Sequence, residues 1–251
     1  RKAILVDTTL CTGCRACQSA CMSINAHPYD ESPALTAEYT MPESMSATSW
    51  NRVKYVSAPG SGIMTMRVEM CYHCENAACI AACPEKAIGK QDGWNVVDID
   101  RCIGCGSCEK ACPYHAIFVL NRKVKGMKEK RAYKCHGCIP AGLDKPACVS
   151  VCPTESLSFG NRLRQLKRAR ERVLTLKKEY PGAGFTGAVE HGGLMVITVY
   201  RDMKYAGEAV NRGGDRMFLE NVIYALGRPF TAGSERAKRV LHKTVRSLFE
   251  S

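Results

Sequence analysis

Short apolar runs along the chain predict strands. The run at 194–200 predicts a buried strand. Two further runs, 52–56 and 64–68, are separated by turn-forming residues and predict a hairpin within an insertion at 25–66. None of these runs approaches the ~20 residues that a helix needs to cross a bilayer, so we do not expect the chain to span a membrane.

Helical periodicity is clearest after residue 161. Over 162–180, apolar residues recur at helical spacing among many Lys and Arg residues, and Pro181 and Gly182 follow. The apolar positions are Leu163, Leu166, Ala169, Val173 and Leu176. We predict an amphipathic helix with a core-packed stripe and a solvated basic face; binding to a membrane surface is the alternative. Two more helices are predicted at 216–226 and 234–249, within a C-terminal extension covering 161–251.

The charge and the cysteine content of the chain add information that the predicted strands and helices do not give. The 251 residues include 36 Lys and Arg against 24 Asp and Glu, a net charge of +12 that by itself suggests nucleic acid or an anionic membrane. They also include sixteen cysteines, which form four groups of four. The groups are Cys11, Cys14, Cys17 and Cys21; Cys71, Cys74, Cys79 and Cys83; Cys102, Cys105, Cys108 and Cys112; and Cys135, Cys138, Cys148 and Cys152.

The spacing within the groups predicts iron-sulfur clusters. The first and third groups read C-x2-C-x2-C-x3-C, the third followed by Pro113 as in bacterial 4Fe-4S ferredoxins, and the second and fourth widen the middle gap to four and nine residues. Three closely spaced thiolates can wrap round three corners of a cubane cluster, while the last cysteine of a group can ligate the neighbouring group's cluster. We therefore predict four 4Fe-4S clusters, with each pair of groups sharing two.

Other uses of these cysteines fit less well. Paired C-x2-C units also make zinc ribbons, but three thiols at this spacing would crowd one tetrahedral ion. Disulfide frameworks suit short secreted proteins. His73 and His136 lie within groups and could replace a thiolate, as in Rieske centres, although each group already has four cysteines. A zinc-binding nucleic-acid module is the remaining alternative from a different class, and iron against zinc content separates the two.

The clusters also account for the basic composition. An oxidised 4Fe-4S cluster with four thiolates carries about −2, so four of them bring +12 to +4. Arg15, Arg101, Lys110 and Lys134 stand beside ligands, where positive charge favours the reduced cluster. We therefore expect no nucleic-acid partner.

The order of the groups resembles a known family. Four groups in this order, with the nine-residue gap and the closing sequence PACVSVCPTESLSFG, resemble the iron-sulfur electron-transfer subunits of the molybdopterin oxidoreductase family over residues 1 to about 160. The later segments LKRARERVLTLKKEYPGA and HGGLMVITVYRD look most like the beta subunit of molybdenum- or tungsten-dependent formate dehydrogenases. Met22 replaces a frequent proline of the family, and Ala77 and Ala78 replace two more, but neither change removes a ligand.

The resemblance implies a fold and a ligand exchange. The fold would be α+β, with two nested bacterial-ferredoxin-like modules that each hold two 4Fe-4S clusters, followed by the C-terminal extension of helices and strand. The outer module would comprise 1–24 and 130–160, and the inner module 67–129. The implied ligand sets are Cys11, Cys14 and Cys17 with Cys152; Cys135, Cys138 and Cys148 with Cys21; Cys71, Cys74 and Cys79 with Cys112; and Cys102, Cys105 and Cys108 with Cys83.

The resemblance also implies a function without catalysis in this chain. The chain would relay single electrons between a large molybdopterin-containing catalytic subunit, formate dehydrogenase, and a further electron-accepting subunit, a cytochrome or a ferredoxin. The alternative is the same role beside an enzyme for sulfur, nitrogen or arsenic oxyanions. No nucleophile with a base and no dinucleotide fingerprint is found, so no catalytic residue is predicted. No secretory signal is visible, and we expect a soluble prokaryotic complex, cytoplasmic or periplasmic, with any membrane association through a partner.

Overall fold

A computed structural model describes residues 1–28, 42–57 and 64–206, which form a mixture of helices and strands. The predicted helices at 216–226 and 234–249 lie outside the described residues. The strands are β1 Lys2–Asp7, β2 Asn51–Ser57, β3 Met64–Met70, β4 Ile88–Gln91, β5 Trp94–Val97, β6 Phe118–Val119, β7 Ala132–Tyr133, β8 Leu157–Asn161, β9 Gly184–Thr186 and β10 Val196–Tyr200. The α-helices are α1 Ala16–Ile24, α2 Ala78–Ala81, α3 Ser107–Ala111, α4 Ala147–Ser150 and α5 Arg162–Leu176.

A four-stranded sheet of order β8, β1, β10, β9 forms the centre of the described structure. β1 pairs with β10 in parallel and with β8 in antiparallel orientation. Because side chains alternate along a strand, Ala3 and Leu5 pack towards α5, whereas Ile4 and Val6 pack in the core that contains Cys17 and other site cysteines. Burial on both faces explains why β1 and β10 are almost continuously apolar.

The apolar run at 194–200 therefore does form a buried strand, and its place in the sheet is a finding that the pattern did not predict. β9 and β10 belong to the predicted C-terminal extension, yet they share one sheet with β1 and β8. The described part of the extension is thus continuous with the core around the cysteines.

The amphipathic helix is present as α5, with one error in its predicted stripe. Ala169, Val173 and Leu176 are buried against the sheet, but Leu163 is 75% exposed. The helix begins at Arg162, where the Asn161 side chain accepts hydrogen bonds from the first-turn amides. Leu163 in that turn lies off the stripe, and Gln165 occupies the buried position instead.

The predicted hairpin strands are β2 and β3, which pair in antiparallel register from Asn51 opposite Met70 to Ser57 opposite Met64. β3 extends to Met70, past the predicted insertion boundary at 66. Val53 and Val68 are directly opposite each other and fully buried in the core, so the hairpin is packed against the cysteine sites.

Candidate iron-sulfur sites

The four cysteine groups have a similar local construction. The third cysteine of each group is the second residue of a short helix, and the fourth cysteine follows four residues later. In the second, third and fourth groups the fourth cysteine lies beyond the last helical residue, whereas Cys21 is still within α1. The helix α1 packs against α4, and α2 packs against α3. This packing brings the first group to the fourth, and the second group to the third.

Three cavities are each surrounded by four cysteines from two groups. The interior sites are site B, lined by Cys21, Cys135, Cys138 and Cys148, and site C, lined by Cys71, Cys74, Cys79 and Cys112. Site D is lined by Cys83, Cys102, Cys105 and Cys108.

The remaining cysteines lie together as site A, formed by Cys11, Cys14, Cys17 and Cys152. Burial raises the pKa of Cys11, and the charges of Cys152 and Cys14 raise it further. Burial also raises the pKa of Cys17 to about 12, again with contributions from the other three thiols of this site. Within the residues that the structure describes, no three Cys, His, Asp or Glu side chains lie close enough to hold a single ion. In sites B to D the sulfurs instead surround a volume, as a multi-atom cluster requires.

Backbone and side-chain amides point at several of the sulfurs. The amides of Ala87, Ala116 and Ala132 donate to Cys83, Cys112 and Cys102, with N to S distances of 3.2, 3.4 and 3.4 Å. The Asn25 side chain lies 3.5 Å from the Cys21 sulfur. N–H groups aimed at ligand sulfurs stabilise thiolate charge and raise cluster potentials, so these donors fit a 4Fe-4S cluster in each cavity.

Some of the buried thiols have raised pKa values, which metal binding must overcome. Burial raises the pKa of Cys79 and of Cys135 to about 12, and like-charge neighbours contribute to both shifts. At neutral pH these groups are therefore protonated before iron binds, and loading releases their protons. Cys105 differs from these two thiols, because the Ser107 hydroxyl and backbone beside this exposed thiol lower its pKa.

A buried cation lies between sites B and C. The Lys134 side chain lines site C, is 3% exposed and donates to the carbonyls of Asn95 and Cys135, the second at 2.7 Å. Cys135 is itself a lining residue of site B. Of the four basic residues predicted to stand beside ligands, Lys134 is buried and Arg101 is exposed, so their electrostatic effects on the sites should differ greatly.

Sequence reasoning missed Asn95, which lines site C. This residue is 1% exposed and its amide side chain donates to the Cys74 carbonyl at 3.0 Å. Its backbone N–H donates to Nδ1 of His73, a fully buried ring that packs edge-on against Trp94. An asparagine within the strand WNVV is the signal that was available, because Asn is uncommon in buried strands unless its polar groups are bonded.

Comparisons with known proteins identify the class. Models of the 4Fe-4S dicluster domain match residues 10–87 and 63–162. The molecule is therefore an iron-sulfur protein with two dicluster domains, which together with sixteen cysteines support four 4Fe-4S clusters.

Similarity to individual proteins narrows the class. The nitrate-inducible formate dehydrogenase iron-sulfur subunit of Escherichia coli is 35% identical over 202 residues, 78% of this chain and 66% of the relative. The formate dehydrogenase iron-sulfur subunit of Haemophilus influenzae is 31% identical over 202 residues, 78% of this chain and 63% of the relative. A polysulfide reductase subunit of Wolinella succinogenes is 33% identical over 162 residues, 62% of this chain and 73% of the relative. The protein belongs to the family of iron-sulfur electron-transfer subunits of molybdopterin oxidoreductases.

The chain spans just under two thirds of the length of the formate dehydrogenase subunits that it matches. Among the described residues, none of the helices is both long enough and apolar enough to cross a membrane.

Proposed function

We propose that the chain relays single electrons between a molybdopterin catalytic subunit, that of a formate dehydrogenase, and an external electron carrier. The observation that carries the proposal is the gathering of all sixteen cysteines into four sites, sites A to D, each drawing on two groups. When bound, a 4Fe-4S cluster supplies one-electron oxidation and reduction. The ligand sets in the proposal are the four cysteines of each site, and the nested outer and inner modules follow from that exchange.

Electrostatic interactions between sites support a series in the order A, B, C, D. The Cys148 thiol of site B interacts electrostatically with Cys17 of site A. The Cys135 thiol of site B interacts with Cys71 of site C. The Cys79 thiol of site C interacts with Cys108 of site D. Adjacent sites are thus close enough for their charges to influence one another, as electron transfer between neighbours requires.

The residues of the chain have three tasks in this relay. The loops hold the sulfurs, the amides of Ala87, Ala116 and Ala132 stabilise thiolate charge, and buried aromatic rings keep water from the interior sites. Trp50 and Trp94 line site B and are both buried. Limited water lowers the reorganisation that accompanies each change of charge.

Formate is favoured over other substrates by the extent of the match. The formate dehydrogenase subunits align over 202 residues of this chain, against 162 residues for the polysulfide reductase subunit. An enzyme acting on sulfur compounds is therefore the second candidate. Isolation of the native complex tests the choice: we expect a large subunit with molybdenum or tungsten that oxidises formate. A large subunit without either metal, or one inactive on formate, would exclude formate dehydrogenase.

The Cys21→Ser variant tests the ligand exchange. We expect it to change the low-temperature EPR signal of the cluster at Cys135, Cys138 and Cys148, more than a hundred residues away in sequence. Cys152→Ser is the matched variant, and its effect should fall on the cluster at Cys11, Cys14 and Cys17. If each variant instead affected the cluster of its own group, the proposed sharing would be wrong.

A further inference from the structure

Site D opens to the surface. Cys105 is exposed, and the neighbouring Ile103 side chain is a large apolar group that is 56% exposed. The other three site D cysteines are buried or half-buried, so Cys105 and Ile103 mark the edge of the site that a second protein could approach.

A basic loop packs beside this edge. Residues 120–131 connect β6 to β7, and the loop contacts the third cysteine group. A Cβ placed on Gly104 would lie 2.2 Å from the Lys130 carbonyl oxygen, so the two backbones touch. The Arg131 side chain donates to the Ile99 carbonyl at 2.9 Å, and the Ala132 amide donates to Cys102 at 3.4 Å. The loop is therefore held directly against site D.

The loop carries a concentrated positive charge. Between 120 and 131 stand six basic residues and one acidic residue. The basic residues are Arg122, Lys123, Lys125, Lys128, Lys130 and Arg131, of which all but Arg131 are exposed. Glu85 and Asp100 lie at the same end of the molecule, and Lys128 pairs with Asp100. The net charge of the side chains at this edge remains positive, and Ile103 forms a small apolar centre.

The surface near site A is different. Cys14 of site A is exposed, and the nearby exposed side chains include the apolar Leu10 and Val151, which adjoin site A cysteines in sequence. Arg15 contacts the Tyr55 ring rather than standing in a basic run. Positive charge is also present on α5, where Arg172 pairs with Asp7 and donates to the Thr9 hydroxyl near the first cysteine group. Beside site D, the positive charge instead surrounds an exposed cysteine and an exposed apolar side chain.

We propose that the face formed by Cys105, Ile103 and the 120–131 loop docks an acidic ferredoxin, which exchanges one electron at a time with site D. The inference rests on the proposed relay function and adds the partner and its position. An apolar centre with a charged rim suits a brief encounter, because opposite charge speeds association while the small apolar contact lets the complex dissociate. The exchange forms no bond: one electron leaves the reduced cluster of one protein and reduces the oxidised cluster of the other.

Stopped-flow kinetics of the full chain test the proposal. The chain is loaded anaerobically with iron and sulfide, reduced, freed of reductant and mixed with an oxidised acidic ferredoxin over a series of salt concentrations. The test variant is Lys125→Glu with Lys130→Glu. The control is Lys177→Glu with Lys178→Glu, which changes the net charge equally on exposed residues that follow α5.

At low salt we expect the test variant to transfer electrons roughly tenfold more slowly than the unchanged protein, and the control to stay within about twofold. At high salt all three rates should converge, because exposed charges are then screened. Equal slowing of both variants, or a rate that salt does not change, would overturn the proposal. The proposal would also be overturned if the loop charges were needed for binding to phosphatidylserine vesicles while the rate of electron transfer to ferredoxin was unchanged. That result would indicate that the face binds a lipid surface.

Iron content and EPR spin count separate failure of this inference from failure of the relay. Protein that loads and reduces four clusters but shows no effect of the loop charges contradicts only the docking proposal. Protein that loads no 4Fe-4S cluster contradicts the relay function as well.

Discussion

The interior sites B and C differ from the end sites A and D in how far they are built into the core. Site B shares its surroundings with two tryptophans and buried strand residues, and site C contains the buried Lys134. Sites A and D each have one exposed cysteine, Cys14 and Cys105. For the proposed relay, we expect this difference to divide the work: the interior sites would support the fold and set the electrostatics, and the end sites would exchange electrons with partners.

The strongest test of the division removes one ligand at each kind of site. We expect Cys135→Ser to prevent stable folding, at a cost of several kcal/mol, since Cys135 lines site B, its thiol interacts with Cys71 of site C, and metal binding supports the fold. Cys105→Ser should leave a folded protein that has lost or altered one cluster. Circular dichroism and iron content measure the two outcomes. Equal loss of structure in both variants would mean that the ends are as essential to folding as the interior.

A pair of glycine substitutions compares the same two regions sterically. Gly137 and Gly106 have φ of 70° and 78°, so alanine is strained at both, by about 1 kcal/mol. A Cβ at Gly137 would lie 2.3 Å from the Trp94 ring, whereas a Cβ at Gly106 has no neighbour within 4 Å. We expect Gly137→Ala to cost about 2 kcal/mol more than Gly106→Ala, because the ring is held in the core. Thermal unfolding of the loaded variants measures the difference, and equal midpoints would contradict it.

The smallest expected effect concerns charge. Lys134→Gln keeps a donor for the nearby carbonyls but removes a buried positive charge, which should lower the reduction potential of a neighbouring interior cluster by on the order of 50 mV, about 1 kcal/mol for one electron. Lys130→Gln removes an exposed charge near site D and should shift potentials far less, because water screens it. EPR-monitored redox titration compares the two. A larger shift in reduction potential in the Lys130→Gln variant would contradict the expectation that the buried lysine has the stronger effect on cluster potentials.

Local chemistry could be predicted from the sequence, and the long-range pairing of the strands could not. The cysteine groups were recognisable because each lies within one short segment, where the spacing of the first three cysteines suits one cluster. The strand at 194–200 and the helix after Asn161 had equally local signals. The neighbours of β10 in the sheet could not be predicted, because the sequence of a buried apolar strand does not indicate which strands pair with it.

The burial of individual side chains also could not always be predicted from the sequence. Leu163 follows the helical spacing of the core positions, yet it is exposed because the start of α5 and the sheet beneath it decide which face is covered. Asn95 and Lys134 are polar in sequence, but their burial depends on the meeting of β5 with the fourth cysteine group. Such contacts arise only when distant segments pack.

The pairing of β1 with β10 has a consequence for biosynthesis. Thr8, just after β1, donates its hydroxyl hydrogen to the Val199 carbonyl, 191 residues later in the sequence. During synthesis on the ribosome, β1 therefore cannot pair with β10 until almost all of the described residues have been made. The second and third cysteine groups, by contrast, are complete by residue 112. We expect sites C and D to mature first, and the earliest cysteines to be among the last to close around iron.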